Sequence, residues 1–152
     1  MPRARALAAV SLIALTACGG ASAAARRAHT AHSVSVKDEG YLHLVKSSGS
    51  LLIDEGLAHG TIPGTVNLRF LYNGNPSVSA QITIYGHAGT IKAHGSGRLS
   101  SPTSPSPSFK GTLTINGGSG RYAHAHGTGT LYGVFYRRSY AINVQTEGTL
   151  HY

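Results

Sequence analysis

The sequence holds one cysteine, no tryptophan, and only five aspartates and glutamates in 152 residues. A single Cys excludes an intramolecular disulfide framework and any zinc site built from several thiolates. Five carboxylates against 13 Lys and Arg leave a formal charge of +8. That shortage argues against much acid–base chemistry and against calcium-type sites, both of which draw on Asp and Glu. Charged residues total 12% and hydrophobic residues 41%, slightly low for a globular chain but above a disordered composition. No Gly-x-Ser-x-Gly, phosphate loop or His-Glu-x-x-His occurs. No segment after residue 17 carries a helical stripe longer than two turns. The length suits one domain.

What is present begins with an address. Arg3 and Arg5 precede an apolar run, Ala6 to Thr16, which has the length of a signal h-region and is too short to span a bilayer as a finished helix. The run ends in Leu15, Thr16, Ala17 and Cys18, which resembles the bacterial lipobox: a Leu, two small residues, then Cys. The resemblance implies cleavage before Cys18 and acylation of its thiol. Two acyl chains anchor a protein stably where one does not. On this reading residues 1–17 are a signal peptide and residues 18–32 a lipidated flexible tether, small and polar without an apolar period. The mature protein would then sit on the outer face of a bacterial cell membrane. Removing Arg3 and Arg5 lowers the formal charge from +8 to +6. Arg26 and Arg27 read as solvated linker charge.

Residues 33–152 alternate with period two. Val66, Leu68, Phe70 and Tyr72 share one face. So do Val78, Ala80, Ile82 and Ile84; Phe109, Gly111, Leu113 and Ile115; and Tyr140, Ile142 and Val144. Polar residues take the intervening positions, the signature of antiparallel strands buried on one side. Turn signals fall at Asn73–Pro76, at Asn116–Gly118 and in a Ser/Pro loop from Ser100 to Ser108. Seven or eight such strands fit a closed barrel or a sandwich. Glycines at positions 95, 97, 111, 127, 129, 133 and 148 favour the strong curvature of a barrel. The expectation is all-β: a single antiparallel β-barrel of about eight strands.

From Asn116 a Gly-Gly-Ser-Gly turn leads into Arg121, Tyr122 and Ala123, and the chain closes on Glu147 to Tyr152. This pattern resembles the allene oxide cyclase and dirigent barrel superfamily, at pattern level over residues 60–152. The resemblance implies an eight-stranded barrel with a ligand-sized interior. In its plant members inward polar or acidic side chains line the active pocket. Here no carboxylate is expected to face inward on the late strands. Glu147 has outward parity, and Asp54 and Glu55, next to Gly56, read as a loop or strand end. No catalytic residue is carried over.

Alternation places Tyr122, His124, His126 and Thr128 on one face and Ala123, Ala125, Gly127, Gly129 and Leu131 on the other. His124 and His126 have a spacing that chelates transition metals, with His94 or His87 as a third ligand. The plainer expectation is exposed polar positions without metal, and no cofactor is implied. Lys92, Arg98, Lys110, Arg121, Arg137 and Arg138 make the body basic. The cluster from Tyr132 to Tyr140 divides across two faces and a turn, so no nucleic acid is expected as partner. The expected function is a non-enzymatic ligand-binding or surface module holding a small apolar ligand. The alternatives are a cyclase- or dirigent-like enzyme and a polyanion-binding envelope component.

Overall fold

The computed structural model describes residues 32–72 and 76–152. Cys18, the lipobox residues Leu15, Thr16 and Ala17, the tether up to residue 31 and the turn signal at Asn73–Asn75 lie outside these residues. Eight strands follow in order: β1 (Ser33–Ser48), β2 (Leu51–Gly60), β3 (Gly64–Tyr72), β4 (Ser77–Gly86), β5 (Gly89–Ser100), β6 (Ser108–Gly118), β7 (His126–Tyr136) and β8 (Ala141–His151). Each pairs antiparallel with the next, and β1 pairs with β8 from Ser33↔His151 to Leu42↔Ile142, which closes a barrel. Closure leaves no unpaired strand edge, the main aggregation hazard of a β chain with few charges.

The alternating sets point where their parity requires. Val66, Leu68, Phe70, Val78, Phe109, Ile115 and Ile142 are buried inside, while Arg69, Gln81, Lys110 and Glu147 are exposed outside. Tyr140 departs from the pattern. It lies between β7 and β8 with φ +56° and is exposed, so β8 starts only at Ala141. Asn116–Gly118 also differs from its reading as a turn, because β6 continues through it. Asn116 is the extra residue of a bulge, since Lys92 pairs with Gly117 and Ala93 with Ile115. The chain then turns through a 3₁₀ segment, Gly120–Tyr122, with positive φ at Gly117 and Gly120.

Strand glycines mark close approaches. At Gly133 a methyl group would sit 2.3 Å from Cζ of Phe109, so the aromatic ring occupies the space a side chain would need. The interior divides into two clusters. One gathers Leu42, Leu52, Phe70, Leu99, Phe109, Leu131 and Phe135. The second gathers Val36, Ile62, Ile91, Ile115, Ala125 and Leu150 at the end where β1 begins and β8 finishes. Ile62 from the β2–β3 turn and Ala125 from the segment before β7 fold over that end and seal it. Ile82, Ile84 and Leu113 pack against both clusters. Each large aliphatic or aromatic side chain buried in this way contributes roughly 1.5–3 kcal/mol.

Candidate functional site

The barrel interior keeps space between its packed residues. A cavity of about 70 Å³ is bounded by Leu68, Phe70, Ile82 and Ile84 on one side and by Leu131 and Val144 on the other. Small residues stand on its wall: Gly40, Ala58, Ala80 and Gly95, with Val144 packed over Gly40 and Leu131 over Gly95. An eight-stranded barrel has an interior that side chains nearly fill or that holds one small ligand. This cavity is well below the several hundred Å³ that drug-sized molecules occupy. It suits a molecule of a few non-hydrogen atoms, such as a single ring or a short alkyl segment.

Two carboxylates face into the barrel from the early strands. Asp38 on β1 is buried and lines the cavity. Its Oδ1 accepts the Ile62 backbone N–H at 2.8 Å, which ties the β2–β3 turn to β1. Burial raises its pKa, and backbone hydrogen bonds from Ile62 and Thr61 oppose the rise. Asp54 is more exceptional. It lies within β2, completely buried, between its strand partners Leu44 and Leu68. Neither of its carboxyl oxygens has a hydrogen-bond partner. Burial pushes its pKa up to about 6, against a smaller downward pull from His43, which stands exposed on the outer face of β1. Asp54 does not line the cavity, but Leu68 beside it does.

This corrects the reading of Asp54 as a loop or strand end. Residues 51–60 form one strand, and Asp54 shares inward parity with Leu52 and Ala58. The parity is present in the sequence, but adjacent Asp54 and Glu55 beside Gly56 read as a loop or strand end. Glu55, on the opposite face, is exposed and accepts from Asn67 Nδ2 at 3.0 Å. The late strands carry no inward carboxylate, since Glu147 is exposed.

At the end opposite the sealed one, a recess of about 150 Å³ lies among Leu52, Phe70, Tyr72, Phe135, Arg137 and Tyr140. Phe70 borders both recess and cavity. Its ring stacks on Phe135 at 6.0 Å and lies tilted to Phe109 at 6.3 Å, so an aromatic group separates the mouth from the interior. Arg137 steadies the rim: its Nε donates to the Ser104 carbonyl at 3.0 Å and its Nη2 to the Pro102 carbonyl.

The histidines assemble differently from the strand-face expectation. β7 starts at His126, so His124 lies in the segment before it rather than on a strand. His126 Nδ1 lies 3.1 Å from the His124 carbonyl oxygen, and its ring stacks on His151 at 5.2 Å. His94 pairs with Gln81 and Thr114, away from both, and His87 lies in the β4–β5 turn. Among the described residues no group of three or more His, Cys, Asp or Glu is placed to hold a metal ion. The residues from Tyr132 to Tyr140 divide as their parity requires: Tyr132 and Tyr136 outward, Phe135 inward, Arg137 to Tyr140 in the turn. Comparison of the chain with protein-family models, curated proteins and solved structures finds no match.

Proposed function

We propose that this protein is an exported, lipid-anchored β-barrel that binds a small apolar molecule in its interior without transforming it. The observation that carries the binding reading is the apolar cavity inside a closed barrel, bordered by Gly40, Ala58, Ala80 and Gly95. A packed core normally leaves few voids, because each empty volume forfeits dispersion contacts. An interior space left unfilled beside four small residues therefore favours occupancy by a guest. Calorimetric titration with benzene tests this: saturable binding is expected, and Ala80→Leu, which fills the cavity, abolishes it. Binding that survives Ala80→Leu would place the guest elsewhere.

The anchor reading is supported by Arg3, Arg5, the apolar run and Leu15-Thr16-Ala17-Cys18. Mass spectrometry of the mature protein is expected to find Cys18 as the first residue with two or three acyl chains. An unmodified Cys18, or cleavage elsewhere, would refute it.

Asp54 favours a second reading, an enzyme of the cyclase or dirigent kind. A buried acid with a raised pKa and two unoccupied oxygens is a ready proton donor or acceptor. The two readings separate on Asp54→Asn. A pure binding protein keeps its affinity within about threefold, because the carboxyl does not line the cavity, whereas an enzyme loses turnover with the guest still bound.

A further inference from the structure

The sealed end of the barrel gathers histidines that the cavity does not use. His32 exchanges two backbone hydrogen bonds with Tyr152, and its ring stacks on the tyrosine at 5.7 Å. Beside them His151 stacks on His126, which leads back to His124. The Arg121 guanidinium lies 4.9 Å above the Tyr152 ring. The Arg121 backbone N–H donates to the Ala88 carbonyl at 2.9 Å, which brings the β4–β5 turn and His87 alongside. Five of the eight described imidazoles and one guanidinium thus share one end of the molecule. His32, His87, His124, His126 and Arg121 are exposed, and His151 is half-buried.

The opposing charges are elsewhere. Asp38 and Asp54 are buried inside the barrel. Glu39 accepts from Gln145 and Glu55 from Asn67, both on the outer wall. Glu147 stands on the wall opposite Lys37, four residues before His151. Lys37, His59 and Lys92 flank the end on β1, β2 and β5, while the β2–β3 turn brings no charge. A free carboxylate on Tyr152 would subtract one charge. The chain also enters the barrel here, at His32, so the segment holding the apolar run and Cys18 leads to this end.

We infer that this histidine-rich end is a pH-dependent docking surface for an anionic lipid bilayer. The orientation rests on the membrane-anchor reading: a chain held at Cys18 through a short segment presents the end that receives the segment. Imidazole is the side chain that changes charge between about pH 5 and 8, while Arg and Lys stay charged throughout. Acidification therefore adds positive charge to an end where Arg121, flanked by Lys37 and Lys92, supplies the fixed part. Each cation at an anionic leaflet strengthens adsorption about fivefold, within a Debye length of about 8 Å. Imidazolium rings as close as those of His126 and His151 repel each other, and anionic headgroups relieve that repulsion. Docking and proton uptake therefore reinforce one another. Arg137 and Arg138 at the opposite end carry fixed charge and supply only a pH-independent background.

The test uses the full chain with Cys18→Ala, so that no acyl chain contributes, and vesicles of equimolar phosphatidylglycerol and phosphatidylcholine. Co-sedimentation is expected to be at least about tenfold tighter near pH 5.5 than near pH 7.5. The gain should vanish on pure phosphatidylcholine and fall at least severalfold in His124→Gln/His126→Gln/His151→Gln, which keeps His32, His87 and the same N-terminal segment. Binding independent of pH, an undiminished gain in the triple variant, or an equal gain on neutral vesicles would overturn the inference. So would pH-dependent capture by a soluble acidic polymer without capture by vesicles. If the triple variant does not fold, His87→Gln/His124→Gln, both outside the strands, must reduce the gain, and an unchanged gain counts against the inference. Because the vesicle experiment needs no acylation, it stands apart from the mass of the mature N-terminus, which alone decides the anchor.

Discussion

Asp38 and Asp54 show how the same side chain costs differently according to its partners. Both are desolvated, but Asp38 recovers part of the cost through the Ile62 N–H, and Asp54 recovers nothing from hydrogen bonds. The consequence for stability has a definite sign. With the folded pKa of Asp54 near 6 against 3.8 in the unfolded chain, the folded state holds the proton more tightly. The favourable contribution is complete below pH 3.8, declines as pH rises toward about 6, and is gone above that. Asp54→Asn removes the titration. It is expected to flatten stability between these pH values and to stabilise the fold at neutral pH by up to about 3 kcal/mol. Urea unfolding at acid and neutral pH measures both, and a variant with the wild-type pH slope would contradict the assignment. Asp54 also marks a limit of legibility. Its period-two parity with Leu52 and Ala58 is readable, but a carboxylate inside a barrel breaks the local rule, and the neighbouring Glu55-Gly56 favours a loop or strand end in its place.

At the scale of elements, strands with apolar residues on one face and Thr, Gln or Lys on the other were legible: β3, β4 and β6 emerge from alternation alone. The loop from Ser100 to Ser108 lies where its Ser and Pro residues indicate, between β5 and β6. The first two strands were less legible, because β1 mixes Gly40 and Asp38 among its inward positions and carries a bulge at Val45. The stretch at 116–125 misled because glycine serves two purposes there, a bulge within a strand and a left-handed turn residue. The β2–β3 turn gives a sharp element-level prediction. Gly60 has φ +132°, and a methyl group there would meet the Lys37 carbonyl oxygen at 2.2 Å and Asp38 Oδ1 at 2.6 Å. Gly60→Ala would disturb both the backbone and the Asp38–Ile62 hydrogen bond that fixes the seal of the barrel. A loss of at least about 2 kcal/mol is expected in thermal or chemical unfolding, and a loss below about 0.5 kcal/mol would contradict this role for the turn.

The barrel has two unlike ends. One end is sealed by Ile62 and Ala125 and ringed with histidine, and it receives the N-terminal segment. The other carries a recess that the Phe70 and Phe135 rings separate from the interior. This polarity suits a molecule that faces a surface with one end. The closed barrel was legible in period, turn spacing and strand glycines. Its cavity was not, because 70 Å³ depends on how Gly40, Ala58, Ala80 and Gly95, from four different strands, meet across the interior. The absence of inward carboxylates on the late strands pointed away from enzymes, but Asp38 and Asp54 on the early strands weaken that argument. The central proposal, an apolar binding site inside the barrel, is tested most directly by methyl-resolved NMR during titration with benzene. Saturable shifts confined to Leu68, Ile82, Ile84, Leu131 and Val144, and lost in Ala80→Leu, are the result expected. Unshifted interior methyls, or shifts confined to the outer wall, would contradict it.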